Sequence, residues 1–170
     1  MQLPLGWLAE YLTPPPIAAL LDRLTAIGHM VDGPMRDTPD GPVIPLEIRQ
    51  NRPDCLSIYG LAREVAAAFD GSPAALDLAD PPIGGYTQSG DNGELYLLRV
   101  RGARLDRLPD TLAGRLTQYG VRSTFPLVDL ANYVMVELGQ PLHIYAAELD
   151  PLSIEARPGR AGVRLCGAYR

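Results

Sequence analysis

The sequence predicts an α+β fold: two small α/β-mixed modules, residues 1–71 and 94–170, joined by a Pro/Gly-rich linker over residues 72–93. Three observations predict it. Apolar residues recur at helical spacing in several separate segments. Short runs of strand-forming residues stand apart from them, bounded by Gly and Pro. Residues 72–93 concentrate Pro, Gly, Asp and Ser, with PPIGG and SGDNG inside, as connections between modules do.

The elements follow in order. Leu5, Leu8 and Leu12 repeat at helical spacing, and Ile17, Leu20, Leu21, Leu24 and Ile27 do so again after Pro14, Pro15 and Pro16, so the chain opens with two short helices. Gly28 suits the left-handed position that ends the second. Residues 32–42, DGPMRDTPDGP, are turn signal throughout. Residues 43–48 read as a strand, which Pro45 assigns to an edge or a bulge. Pro53 disfavours helix at Arg52, and Asp54 is placed to cap the helix that follows. That helix runs to about Phe69, with Ile58, Ala62, Val65 and Phe69 as its apolar stripe and Gly71 just past its end. The second module reads as a strand over 95–101, a helix over 109–119 ended by Gly120, a helix over 127–138 closed by Gly139, and a last strand over 152–157. Leu127, Leu130, Val134 and Leu138 form the expected apolar stripe of the later helix.

Composition narrows the function classes. A chain of 170 residues, 46% hydrophobic and 21% charged, is that of a soluble globular protein able to bury a core. No apolar run approaches the ~20 residues of a membrane span. The opening MQLPLGWLAEYL lacks the basic start and unbroken apolar stretch of a signal peptide, so a cytoplasmic location without membrane contact is expected. Cys55 and Cys166 have no partner motif, and His29 and His143 lack metal-ligand spacing, so neither a disulfide framework nor a metal is expected. Gly84 and Gly85 without a following Lys-Ser/Thr make no phosphate loop, and no cofactor is expected in this chain. All 15 basic residues are Arg, yet the net charge of −5 argues against binding nucleic acid through a general basic surface. Six arginines, at 99, 101, 104, 107, 115 and 122, lie close in sequence to only Asp106 and Asp110, which leaves one face able to meet phosphates.

The most informative stretch is 120–143, GVRSTFPLVDLANYVMVELGQPLH, which sets Arg122, Asp129, Asn132, Gln140 and His143 among residues that otherwise read as core. Such polar groups need internal partners or a ligand, because an unpaired buried one costs roughly 1–3 kcal/mol. Arg122, Asn132 and His143 converge if the Gln140-Pro141-Leu142 turn folds the chain back against the helix carrying Asn132. A charged fork, an amide and an imidazole would then surround one cleft able to hold a polar substrate and a water. No nucleophile, base and orienting group are legible together, and no catalytic residue is assigned.

These residues carry a resemblance. NRPDCLSIYGLAREVAA (51–67), the 120–143 stretch, and the opening LPLGWLAEYL with LLDRLTAIGHMVDG together resemble the beta subunit of bacterial phenylalanyl-tRNA synthetases, in that family's order. The resemblance implies an N-terminal domain completed around NRPDC, then the first part of an editing domain. In the family that domain hydrolyses tyrosine wrongly esterified to the phenylalanine tRNA, while amino-acid activation, which uses ATP and Mg in the full enzyme, belongs to the alpha subunit. It also implies that Arg122, Asn132 and His143 line the editing pocket, orienting the amino acid and terminal adenosine and holding the attacking water. Its implied partners are the 3′ end of the phenylalanine tRNA and the alpha subunit.

Departures from the family pattern stand beside the matches. Residues 32–42 occupy the place of an inserted oligonucleotide-binding-fold domain, Ala131 stands where Thr is common, and Ala146 stands where Asp is common. The family's editing domain continues beyond the equivalent of Arg170 and there supplies a Glu that recognises the tyrosyl hydroxyl. The expectation is a chain without ligase activity of its own and with a partial editing site. The alternative expectation is a non-catalytic paralogue or truncated form that binds RNA, an amino acid or the alpha subunit.

Overall fold

The computed structural model of the chain describes residues 1–77, 86–90, 93–98, 100 and 104–145. Two compact units emerge, one from residues 1–77 with 104–144, the other from residues 78–103 with 145–170. The fold is α+β, as composition and periodicity predict.

The first unit is organised around one strand. β4 (Gly41–Glu47) is flanked on one side by β1 (Gln2–Pro4) and on the other by β2 (Met30–Val31) and β3 (Arg36–Thr38), all antiparallel to it. Val43 pairs with both Pro4 and Arg36, so β4 is central, whereas Pro45 pointed to an edge or a bulge. The proline is tolerated because its missing N–H falls where the partner strand is broken: β2 pairs with Leu46 and Glu47, and β3 begins opposite Val43. The Pro45 carbonyl is still used, accepting from the Asp32 amide at 2.9 Å. β3 lies inside the 32–42 segment expected as turn throughout; only Pro39 and Asp40 remain as the hairpin loop between Thr38 and Gly41.

Short helices pack on this sheet, and the four consecutive buried residues Val43 to Leu46 show that both faces of β4 are covered. α1 (Leu5–Leu8) is a single turn following β1 directly, where Leu5, Leu8 and Leu12 had suggested a longer helix. α2 (Ile17–Ala26) ends in a Schellman turn: the Gly28 amide donates to Thr25 at 3.1 Å, the His29 amide donates to Leu24 at 2.8 Å, and Gly28 has φ +95°. Pro53–Cys55 forms a 3₁₀ turn with Pro53 in its first position. α3 (Ile58–Ala68) is capped by Ser57, whose hydroxyl accepts from the Gly60 amide at 3.0 Å. Asp54 does not cap this helix, because its carboxylate is taken by Arg52. Ile58, Ala62 and Val65 are buried as predicted, while Phe69 stays largely exposed beneath the Arg23 guanidinium.

α4 (Asp110–Tyr119) and α5 (Pro126–Leu138) belong to this same unit, packed on β1, α1 and α3. Both end in left-handed glycines, Gly120 and Gly139, as their sequences require. The buried face of α5 differs from the predicted stripe: Asp129, Tyr133 and Val136 are buried, while Leu130 is 39% exposed. The partner surface explains the choice. Trp7 stacks on Tyr133 with ring centroids 4.9 Å apart, and one oxygen of Glu137 accepts from Trp7 Nε1, Tyr11 and Tyr133 at 3.4, 2.7 and 3.3 Å. An aromatic and acidic face thus meets α1 more favourably than four aliphatic residues would.

This network carries a pH dependence. Burial, and then the Glu137 carboxylate, raise the Tyr11 phenol above its ordinary 10.0. Burial likewise raises Tyr119 and Tyr133. Folded-state values above the unfolded ones mean that this stability is complete below pH 10.0 and is lost progressively as pH rises past it. Denaturant melts between about pH 9 and pH 11 should show falling stability, with a shallower fall in Tyr11→Phe than in the parent. A pH-independent melt over this range would contradict the burial of these phenols.

In the second unit, β5 (Tyr86–Gly90) and β6 (Gly93–Leu97) form an antiparallel hairpin, Gly90 opposite Gly93. β5 arises within residues 72–93, where turn signals had suggested only linker. Residues 78–85 and 91–92 of that linker, Arg99 and Arg101 at the end of the expected 95–101 strand, and the expected 152–157 strand lie outside the described residues.

Candidate functional site

The polar residues of the 120–143 stretch separate into two groups. Asp129, only 4% exposed, is held by the segment leading into its helix: it accepts from the Ser123 hydroxyl at 2.5 Å, from the Thr124 amide at 2.9 Å and from the Thr124 hydroxyl at 3.4 Å. It sits in the first turn of α5, where the helix dipole favours its charge. Asp129 therefore fixes the Ser123-Thr124 approach to the helix.

Arg122, Asn132 and His143 form the second group. Arg122 is exposed, two residues after the left-handed Gly120; Asn132 is half-buried in the second turn of α5; His143 is exposed, four residues beyond the left-handed Gly139. None of the three side chains has a hydrogen-bond or ionic partner among the described residues, and the structure does not join them to one another. All three belong to the first unit. Pro126 in the first position of α5 fixes where that helix starts, so Asn132 is set on a rigid element and the other two on its flanking loops.

The arginines are not one phosphate-binding face. Arg115 donates to the Tyr133 hydroxyl at 2.6 Å, pairs with Glu10, and lies over the Trp7 ring at 5.5 Å, so it is a structural residue. Arg107 pairs with Asp110. Arg104 and Arg122 remain exposed, and Arg99 and Arg101 lie outside the described residues.

A second polar constellation, hardly legible in sequence, lies around the NRPDC turn. Arg52 holds both oxygens of Glu64, at 2.9 and 2.6 Å, and both of Asp54, at 3.1 and 2.9 Å. Hydrogen bonding to Arg52 lowers both carboxyls, Asp54 to about 2. Cys55, wholly buried, has its thiol pushed up to about 12 by burial and then by Asp54. His29 is buried against Glu64, with 3.7 Å between Nε2 and the nearer carboxylate oxygen. An open groove of about 550 Å³ runs beside this cluster along α3, lined by Asp54, Tyr59, Arg63 and Glu64 among others. The motif therefore clamps the β4–α3 connection, an architectural task.

Comparison with known proteins bears on both sites. Residues 93–168 match the B3/4 domain family, a span that includes α4, α5 and all three of Arg122, Asn132 and His143. The phenylalanine–tRNA ligase beta subunit of Nitratidesulfovibrio vulgaris is 40% identical over 139 residues, covering 74% of this chain and 17% of that protein. That of Rhodopirellula baltica is 37% identical over 158 residues, covering 83% of this chain and 22% of that protein. The beta subunit of Neisseria gonorrhoeae is 33% identical over 134 residues, with 74% and 17% covered. The chain is a relative of the phenylalanine–tRNA ligase beta subunits. It spans between about a sixth and a quarter of the length of these relatives, at 17 to 22%. The beta-subunit likeness read from NRPDC and from residues 120–143 is thus supported by matches covering most of the chain. Among the described residues no helix is long and apolar enough to cross a membrane.

Proposed function

We propose that this beta-subunit relative acts in phenylalanine tRNA aminoacylation as an editing module, hydrolysing tyrosine wrongly esterified to that tRNA. The observation that carries the reading is the contrast within α5 and its flanks. Asp129, and Arg115 on the neighbouring α4, are held by internal partners, whereas Arg122, Asn132 and His143 lie within the B3/4 match with no partner among the described residues. Side chains of this kind, set around a rigid helix, are suited to an ester substrate.

In the reaction, water adds to the ester carbonyl carbon, the bond to the ribose oxygen breaks, and that oxygen leaves with a proton, giving tyrosine and free tRNA. Arg122 orients the polar end of the aminoacyl-adenosine, Asn132 holds it by its amide, and His143 accepts or donates a hydrogen bond to the attacking water. The substrate is the 3′ end of the phenylalanine tRNA, the macromolecular partner is a synthetase alpha subunit, and the setting is the cytoplasm. Ala131, half-buried beside Asn132, favours a second reading in which the pocket binds without hydrolysing, since it brings no hydroxyl there.

The test is deacylation of tyrosyl-tRNA by the purified protein. A rate above buffer that falls roughly 10²-fold or more in His143→Ala is expected for a group holding the attacking water. A rate equal to buffer, or one indifferent to His143→Ala, sinks the catalytic reading. Saturable binding of the charged tRNA end without turnover would then identify the binding module.

A further inference from the structure

His29 is the residue that the fold leaves unexplained. It is 1% exposed, and among the described residues its two ring nitrogens are the only buried side-chain nitrogen or oxygen atoms without a hydrogen-bond partner. Burying such groups unpaired costs roughly 1–3 kcal/mol, so native structures place them against something. The Schellman turn at Gly28 sets His29 at the end of α2, and the groups nearby are those of the NRPDC clamp. One ligand atom each from His29, Cys55 and Glu64 lies within 4.8 Å of the others. The three residues come from the end of α2, the 3₁₀ turn and α3, which is why no spacing in the sequence reveals them.

We propose that His29, Cys55 and Glu64 bind a single divalent cation of borderline softness, zinc above all. An imidazole nitrogen, a sulfur and a carboxylate oxygen match the donors zinc takes, and the sulfur disfavours magnesium and calcium. A tetrahedral ion held at about 2.0–2.3 Å keeps its donors roughly 3.3–3.8 Å apart, so the present triangle needs to contract by about 1 Å. His29 and Glu64 already stand at 3.7 Å. Asp54, whose Oδ2 is 3.4 Å from the Cys55 sulfur, or a water, completes four-coordination.

Charge and protons balance. The cation replaces the proton on the Cys55 thiol, which leaves to solvent, and Glu64 supplies the second negative charge. Arg52 relinquishes its 2.9 Å bond to Oε1 of Glu64 and keeps the 2.6 Å bond to Oε2, and its Nη2, which donates to the Cys55 sulfur at 3.1 Å, is left as a donor to the metal-bound thiolate, so the clamp survives. The ion would cross-link the end of α2 to the middle of α3 through the 3₁₀ turn, a structural task separate from the site around α5.

The test uses the full chain, stripped of metal by a chelator and titrated with Co²⁺, then Zn²⁺. One equivalent of Co²⁺ should produce a thiolate-to-cobalt charge-transfer band and the strong visible bands of a tetrahedral site, and one equivalent of Zn²⁺ should abolish them and raise the melting temperature. Cys55→Ser should remove the charge-transfer band. His29→Leu, close in volume and suited to an apolar pocket, should weaken binding by more than the ~10–100-fold that outer-shell changes cost. Should either variant fail to fold, as judged by circular dichroism, Glu64→Gln, at a partly exposed position, reads the same loss. Cys166→Ser should leave the spectrum intact. No cobalt spectrum at several equivalents overturns the proposal, as does one that survives Cys55→Ser or disappears with Cys166→Ser.

Discussion

Trp7→Ala is expected to lower the stability of the first unit by about 3–5 kcal/mol, the range for removing a large aromatic from a well-packed core. Trp7 is 1% exposed, stacks on Tyr133, lies beneath the Arg115 guanidinium and donates to Glu137, so the change removes more than transfer energy. It opens a cavity where α1, α4 and α5 meet and leaves Arg115 and Glu137 with fewer partners in a desolvated setting. Against a total of roughly 5–15 kcal/mol for a domain, such a loss leaves little margin. Because Trp7 is the sole tryptophan, urea unfolding should be followed by far-ultraviolet circular dichroism. A loss below about 1 kcal/mol would mean that the α1 contacts are not those of the core.

Gly60→Ala is expected to destabilise by about 3 kcal/mol, against the usual sign for this substitution in a helix, which gains roughly 0.5–1 kcal/mol. A Cβ built on Gly60 would lie 1.8 Å from the Asp54 carbonyl oxygen and 2.9 Å from Ser57 Oγ. The nearest atom is backbone, so relief requires moving the 3₁₀ turn itself, and with it Asp54, Cys55 and the Arg52 clamp. Thermal melts of Gly60→Ala should show the deficit. A melting temperature equal to or above the parent's would show that the turn and α3 separate easily, contrary to their close packing here.

Much of this fold was legible in the sequence, for reasons that also explain what was not. Helix ends are local chemistry: Gly28, Gly120 and Gly139 all take the left-handed conformation that their positions announce. β1 and β3 are not local in this sense. Each has three residues, too few for any alternation to register, and both exist only because β4 offers them an edge. The buried face of α5 is not legible because two faces are possible, and the choice is made by Trp7 and Tyr11 far away in sequence. At the candidate site, Arg122, Asn132 and His143 are reached by likeness to a family, while the pairing of Asp129 with Ser123 and Thr124 is visible only in three dimensions. His29 illustrates the opposite limit: isolated in sequence, it stands beside Cys55 and Glu64 in the fold.

The single oxygen of Glu137 that gathers Trp7, Tyr11 and Tyr133 also sets the order in which this protein must assemble. Two of its three bonds span 130 and 126 residues, so α1 cannot reach its final environment until α5 exists. During synthesis Trp7 emerges before its partner Glu137, and waits while the sheet, α3 and the β5–β6 hairpin are made. Closing so long a loop is slow but costs little more than closing a moderate one, since each doubling adds only about 0.6 kcal/mol. The Glu137 carboxylate is therefore a seal that can close only once α5 is present, over both halves of the first unit.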